Sequence, residues 1–198
     1  MYEDLLELAK KLGAQAGALL MQRPPAFEIS SKSTAIDIAT QMDVAAEEFI
    51  VKGILSIRPD DGIVGEEGSD IPSKSGITWV IDPLDGTVNY VYGLPGWNVS
   101  IAAKDSQGVI VGVVTAPTIN STWWALRGGG AFYNGDKIFC NEPVPLNRAL
   151  IATGFQYDVA HRVSQMEDLA KLVLIARDVR HNGAAAVGLC HVAMGAVD

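Results

Sequence analysis

The stretch ITWVIDPLDGTVNYVYGLPGWNVSIAAK, residues 77–104, decides how the chain folds and where its chemistry sits. Ile77-Thr78-Trp79-Val80-Ile81 is a compact run of β-branched and aromatic residues, the composition of a strand. It runs into Asp82-Pro83. Proline fixes φ and donates no hydrogen bond, so the strand is expected to end there with the Asp82 carboxylate at its tip. A turn then brings Asp85 to the same point. Gly86 lets the backbone approach a ligand closely, and Thr87 adds a hydroxyl. Two carboxylates and the Leu84 carbonyl make a hard oxygen site suited to Mg²⁺. Taken alone, DPLDGT is equally an ordinary turn, because Asp, Pro and Gly are turn residues. The hydrophobic strand before it and the acidic loop upstream favour the chemical reading.

That upstream loop is IVGEEGSD, residues 63–70, a short strand leading into a turn. It delivers Glu66 toward Asp82 and Asp85. Three like charges that close repel strongly unless a cation sits between them, so the cluster implies metal. Two Mg²⁺ ions sharing these carboxylates would suit phosphate-ester hydrolysis.

Further out, the period of the sequence gives the architecture. Leu5, Leu8, Leu12, Ala16 and Leu19 recur at helical spacing, predicting an amphipathic helix over 3–23 stopped by Pro24-Pro25. Residues 28–40 are polar and hydroxyl-rich, a surface loop or short hairpin. A second helix is predicted from Asp43 to Leu55, with Val44, Phe49 and Ile50 apolar. After residue 77 come short strands at 99–103, 109–115, 122–126 and 130–133, an antiparallel meander with a hairpin signal at Asn134-Gly135. A strand at 150–154, an amphipathic helix at 163–176 and a small-residue helix at 184–194 complete the chain. Helices first, then strands, then both mixed, predict an α+β layered domain rather than a doubly wound parallel sheet.

Composition excludes several function classes. The chain has 198 residues, 48% hydrophobic and 19% charged, with a net charge of −8. That is too apolar for disorder and too acidic to grip a nucleic-acid backbone with its whole surface. Two cysteines, Cys140 and Cys190, do not make a disulfide scaffold. No apolar run spans a membrane, and the acidic N-terminus is unlike a secretory signal, so a soluble cytoplasmic protein is expected. The chain ends at Asp198 directly after a buried-looking helix, and a C-terminal segment is expected to be missing.

GEEG, WVIDPLDGTVNYVYGLP and VSIA together closely resemble the inositol monophosphatase family of metal-dependent phosphatases. The resemblance extends upstream to Lys32, Asp37–Thr40 and Asp43, and downstream to RHNGAAAVGLC at 180–190. It implies one layered αβαβα sandwich over residues 1–198. Helices, metal-binding turn and meander would fill 1–147, and a second α/β layer would begin at 148–198. It implies a homodimer, two or three Mg²⁺ ions, lithium sensitivity, and hydrolysis of inositol monophosphate or a similar polyol or sugar phosphate. By this resemblance Glu66, Asp82, Asp85 and the Leu84 carbonyl hold metal. Thr87, Asp43 and Glu66 act on the attacking water, with Thr40 supporting Asp43. Lys32 lies in a loop that helps hold an additional metal. The amides of Gly86 and Thr87 hold the phosphate, and Gly183, Ala184 and Ala185 contact the substrate ring.

Two departures stand out. Ala184 occupies a place where the family often has a hydroxyl residue, which removes one sugar contact. The family's later Trp-Asp motif, which binds the second metal, would fall beyond Asp198. Related enzymes act on fructose bisphosphate, histidinol phosphate or nucleotide phosphates. An aspartyl-phosphate phosphatase needs Asp-x-Asp, whereas here the spacing is Asp-x-x-Asp with proline inside. An EF-hand loop counted from Asp82 has Leu84 and Gly86 where oxygen ligands belong. A non-catalytic interaction module has no need of Glu66, Asp82, Asp85, Thr87 and Asp43 together. Cys140, Cys190 and the three histidines read as structural or solvent-facing, and Trp79, Trp97, Trp123 and Trp124 as core.

Overall fold

A computed structural model describes residues 2–32 and 37–198. Helix α1, Glu3–Leu20, buries Leu5, Leu8, Leu12 and Ala16 as its spacing predicts, and closes on Leu20 rather than Leu19. An antiparallel pair of β1, Ile29–Ser31, and β2, Ile38–Thr40, follows; residues 33–36 lie outside the described residues.

Helix α2, Gln41–Ile57, starts two residues earlier than its apolar pattern predicts. The cause is a reciprocal cap. Asp43 Oδ2 accepts from the Thr40 amide at 2.8 Å, and the Thr40 hydroxyl accepts from the Met42 amide at 3.1 Å. The face that α2 buries also differs from the predicted one. Val44 and Phe49 are exposed, and the buried stripe is Asp43, Ala46, Glu47, Ile50 and Ile54. Two carboxylates in the stripe hide it from an apolarity count.

The main sheet contains β3 (Gly62–Gly65), β4 (Asp70–Ile71), β5 (Thr78–Asp85), β6 (Asn98–Asp105), β7 (Gly108–Ala116), β8 (Ser121–Leu126), β9 (Gly130–Tyr133) and β10 (Asp136–Ile138). Their order is β10-β9-β8-β7-β6-β5-β3-β4, antiparallel throughout except for the parallel β3–β5 pair. The predicted meander is present, and Asn134 and Gly135, both at positive φ, make its last turn.

Strand β5 corrects the sequence reading at the point that matters most. It does not end at Asp82 but runs through Pro83 to Asp85. Asp82 pairs with Ser100 and Asp85 with Asn98, so β5 carries one extra residue against β6. In an unbroken strand, residues three apart point to opposite faces. The bulge absorbs the odd residue and the missing proline N–H, and turns both carboxylates to one side.

Alternation along β7 separates two cores. Val111 and Val113 pack with α1, α2, Trp79 and Trp97, whereas Val114 and Ala116 face the opposite side of the sheet. There Ala184 and Val187 of the C-terminal segment pack on Trp123. That segment comprises β11 (Leu150–Thr153), α4 (Val159–Leu172), β12 (Asp178–His181) and α5 (Ala185–Ala193). Strands β11 and β12 pair in parallel, and α5 lies between them and the large sheet. Helix α4 starts four residues before the predicted 163 because Asp158 Oδ1 accepts from the His161 amide at 2.9 Å. Its apolar stripe is present as the spacing predicts, but no residue of α4 is buried. The result is a layered α+β fold with a large, mostly antiparallel sheet. No helix among the described residues is long and apolar enough to cross a membrane.

Candidate active site

A cleft of about 900 Å³ opens between the β5 bulge and the C-terminal segment. Glu66, Asp82, Leu84, Asp85, Gly86 and Thr87 form one wall, and the other comes from the loop after β11, the first turn of α4 and the β12–α5 turn. The predicted metal-binding, phosphate-binding and ring-contacting residues therefore face a common space.

On the acidic wall, β3 and β5 run side by side, and the Glu66 amide donates to the Ile81 carbonyl at 3.1 Å. This sets Glu66 within hydrogen-bonding reach of Asp82. Burial, then the charges of Glu66 and Asp85, push the Asp82 carboxyl up to about 9. Lys32 answers part of this charge, with Nζ 2.7 Å from Glu66 and 2.5 Å from Glu67. Its ammonium is held far above the ordinary lysine range: burial opposes this, but the bonds to Glu66 and Glu67 outweigh it.

Thr87 begins helix α3, Thr87–Tyr92. Its hydroxyl lies 2.9 Å from Asp43 Oδ1 and 3.0 Å from the Leu84 carbonyl, and donates to either. Asp43 is 1% exposed. Its other oxygen accepts from the Thr40 hydroxyl at 2.6 Å and the Thr40 amide at 2.8 Å. Burial raises the Asp43 carboxyl above the usual carboxylate range despite these bonds. Thus Thr40, Asp43 and Thr87, from β2, α2 and α3, form one hydrogen-bonded line ending at the acidic wall.

The two glycine turns meet. Gly86 has φ 87°, and a Cβ there would lie 3.1 Å from Ala184 Cβ. Gly183 has φ 73°, and a Cβ there would lie 2.6 Å from Asn89 Oδ1. The Asn89 amide donates to the Asn182 carbonyl at 2.8 Å and strings the turns together. Asp85 does the same from beneath. Its oxygens accept from the Ala185 amide at 3.0 Å, the Ala186 amide at 2.7 Å and Asn98 Nδ2 at 2.8 Å. Ala184, at the head of α5, provides no side-chain cap, so Asp85 caps α5 from the neighbouring turn.

The whole chain, residues 1–198, matches the inositol monophosphatase family. The chain belongs to that family. Among curated relatives, the Thermotoga maritima fructose-1,6-bisphosphatase/inositol-1-monophosphatase is 36% identical, covering 98% of this chain and 74% of its own. The Nus factor SuhB of Pasteurella multocida is also 36% identical, with the same coverage. Among solved structures, the extragenic suppressor protein suhB of Bartonella henselae superposes with a TM-score of 0.92 at 29% identity, covering 98% of this chain and 76% of its own.

Inositol monophosphatases are generally metal-dependent, so the fit of this chain's residues to a metal matters. Among the described residues no three His, Cys, Asp or Glu side chains already meet as a closed cage. Lys32 engages Glu66, and amides engage Asp85. The donor chemistry nevertheless fits a hard cation. Three carboxylates and a carbonyl face one cleft, and without a cation Asp82 keeps its proton to about 9.

Several residues of this family member's site escaped the sequence reading. Glu47, buried under the acidic loop, accepts from the Glu67 amide at 2.8 Å and the Ser69 amide at 3.0 Å. Its only signal was lying one helical turn after Asp43. Asn89, Asn98 and Arg162 gave no local signal, because their partners come from distant segments. His181 and His191 line the cleft rather than simply facing solvent or core. Trp97, read as core, is core: it is 2% exposed and packs edge-on against Tyr90. Cys140 is exposed and Cys190 half-buried, with burial pushing the Cys190 thiol up to about 12, which makes it a poor nucleophile.

Proposed function

We propose that this chain is a Mg²⁺-dependent phosphomonoesterase, hydrolysing inositol monophosphate or a similar small polyol or sugar phosphate by direct attack of water on phosphorus. The observation that carries it is the Thr87 hydroxyl, held by buried Asp43 beside the Glu66–Asp82–Asp85 wall. A water in front of Thr87 donates a hydrogen bond to its oxygen, while the Thr87 proton points to Asp43. The proton lost by the attacking water thus passes through Thr87 to Asp43, a carboxylate whose burial makes it a better base. Glu66 orients the water from the other side. The amides of Gly86 and Thr87 hold the phosphate, and Gly183, Ala184 and Ala185 hold the ring. Glu66, Asp82, Asp85 and the Leu84 carbonyl would hold Mg²⁺, which supplies the positive charge that polarises the phosphate and water. A single domain, two or three metal ions, inhibition by Li⁺, a cytoplasmic homodimer and no nucleic-acid partner complete the proposal, on the strength of family membership.

The test is phosphate release from inositol 1-phosphate with and without Mg²⁺, for the wild type and Asp85→Asn. Mg²⁺-dependent release that falls about 10³-fold in the variant is expected, since lost charge stabilisation of several kcal/mol corresponds to that factor. Full activity in Asp85→Asn would remove that residue from the site.

The relative named Nus factor SuhB supports a second reading, a non-catalytic interaction module on the same fold. Absence of turnover on a panel of phosphomonoesters, including fructose 1,6-bisphosphate, histidinol phosphate and nucleotide phosphates, would favour it.

A further inference from the structure

The bulge that gathers the carboxylates is closed by a buried amide. Asn98 stands opposite Asp85 in the β5–β6 pairing and is wholly buried, between Trp97 and Val99 in the chain, which are buried too. Both contacts of its Nδ2 go to Asp85, at 2.8 Å to Oδ2 and 3.5 Å to the backbone carbonyl. Its Oδ1 is buried with no hydrogen-bond partner among the described residues. A buried unpaired carbonyl is costly, and an apolar side chain of similar shape would avoid it. The amide cannot turn over to relieve this, since Oδ1 would then press against the Asp85 carboxylate. Asn98 is therefore built to donate to Asp85, not merely to fill space.

The lone pairs of Asp85 are nearly all taken. An ionised carboxylate has about four lone-pair sites, two on each oxygen. Oδ2 accepts from Asn98 and from the Ala186 amide, which fills that oxygen, while Oδ1 accepts only from the Ala185 amide. What Asp85 can still offer a cation is one lone pair, on Oδ1.

We infer that Asn98 is a positioning residue that makes Asp85 a one-oxygen ligand and so tilts the acidic wall toward Mg²⁺ over Ca²⁺. Mg²⁺ demands near-octahedral geometry, whereas Ca²⁺ readily takes both oxygens of one carboxylate. Occupying Oδ2 denies Ca²⁺ that grip and takes little from Mg²⁺. The inference rests on the metal-binding reading of the acidic wall and names what sets its choice of ion.

The test is thermal-shift titration of wild type, Asn98→Leu and Asn98→Ala with Mg²⁺ and, separately, with Ca²⁺, without substrate. Each protein is read against its own metal-free Tm, and the rise with concentration yields a dissociation constant for each ion. The ratio of the Ca²⁺ constant to the Mg²⁺ constant is expected to fall about 10-fold in both variants, the scale on which groups holding a metal ligand change affinity. Leucine keeps the side-chain volume, and alanine covers the case in which leucine does not fit. An amide with only a structural role would weaken both ions alike. A ratio within about 2-fold of wild type, with both ions bound, therefore overturns the role of Asn98 alone. Wild type that binds neither ion overturns the metal-binding reading, and this inference with it.

Discussion

The two walls of the cleft are built differently. The acidic wall stands on the main core, where Ile50, Ile54, Trp79, Trp97 and Ile101 are fully or almost fully buried between α1, α2 and the sheet. The facing wall stands on β11, α4, β12 and α5, where Val187 is the one helical residue buried and α4 exposes Val163 and Met166. The acidic wall must hold like charges at fixed separations against their repulsion, which a loosely packed element cannot do. The facing wall lines the cleft with an arginine, histidines and backbone amides, and crowds no like charges together. Packing is densest where charges crowd.

The largest test of this contrast is chemical. Thr87→Val should lower kcat by about 10²–10⁴-fold while costing only about 1–3 kcal/mol of stability for the Asp43 oxygen left unpaired, since it removes the proton path but keeps the side-chain shape. Asp43→Asn on top of it should add little, because the two act as a unit. A double variant losing the full product of both effects would break the proposed line from Thr40 to Thr87.

Next in size is packing. Ile54→Ala, in the main core, should cost about 2–5 kcal/mol in denaturant unfolding. Were it to cost no more than a surface change, the acidic wall would not depend on that core.

A smaller effect links charge to stability. Without metal, folded Asp82 keeps its proton to about 9, whereas an unperturbed Asp carboxyl loses its proton near 3.8. Its folded pKa is raised, so its contribution to stability is complete below the unfolded value and is lost as pH rises toward 9. A cation relieves that loss by displacing the proton. Mg²⁺ should therefore raise Tm more at about pH 8.5 than at about pH 6 in thermal-shift measurements, and Asp82→Asn should flatten the difference. An equal shift at both pH values would mean that Asp82 does not face the cation.

The smallest effect sharpens the contrast from the other side. Met166→Ala, on the exposed face of α4, should change stability by less than about 0.5 kcal/mol. A loss comparable to that of Ile54→Ala would show that this face is covered in solution.

The sequence by itself determined the parts. Period and turn residues gave the helices, the meander and the Asn134-Gly135 hairpin, because these are set by neighbours along the chain. The residue types in GEEG and DPLDGT gave a hard oxygen site, because ligand chemistry belongs to the side chain itself. Even the family was legible from those motifs. Tertiary structure decided how the parts meet. The bulge in β5 placed Asp82 and Asp85 on one side, where a strand ending at Pro83 had been read. Burial of Glu47 beneath the acidic loop, Asp85 capping α5, and Arg162 facing the carboxylates all join residues distant in sequence. The spacing shows the apolar stripe of α4 but not that it stays largely exposed, since periodicity reports that a face is apolar but not what covers it. Local preference acts between near neighbours, whereas a site is made by contacts that exist only once the layers have packed.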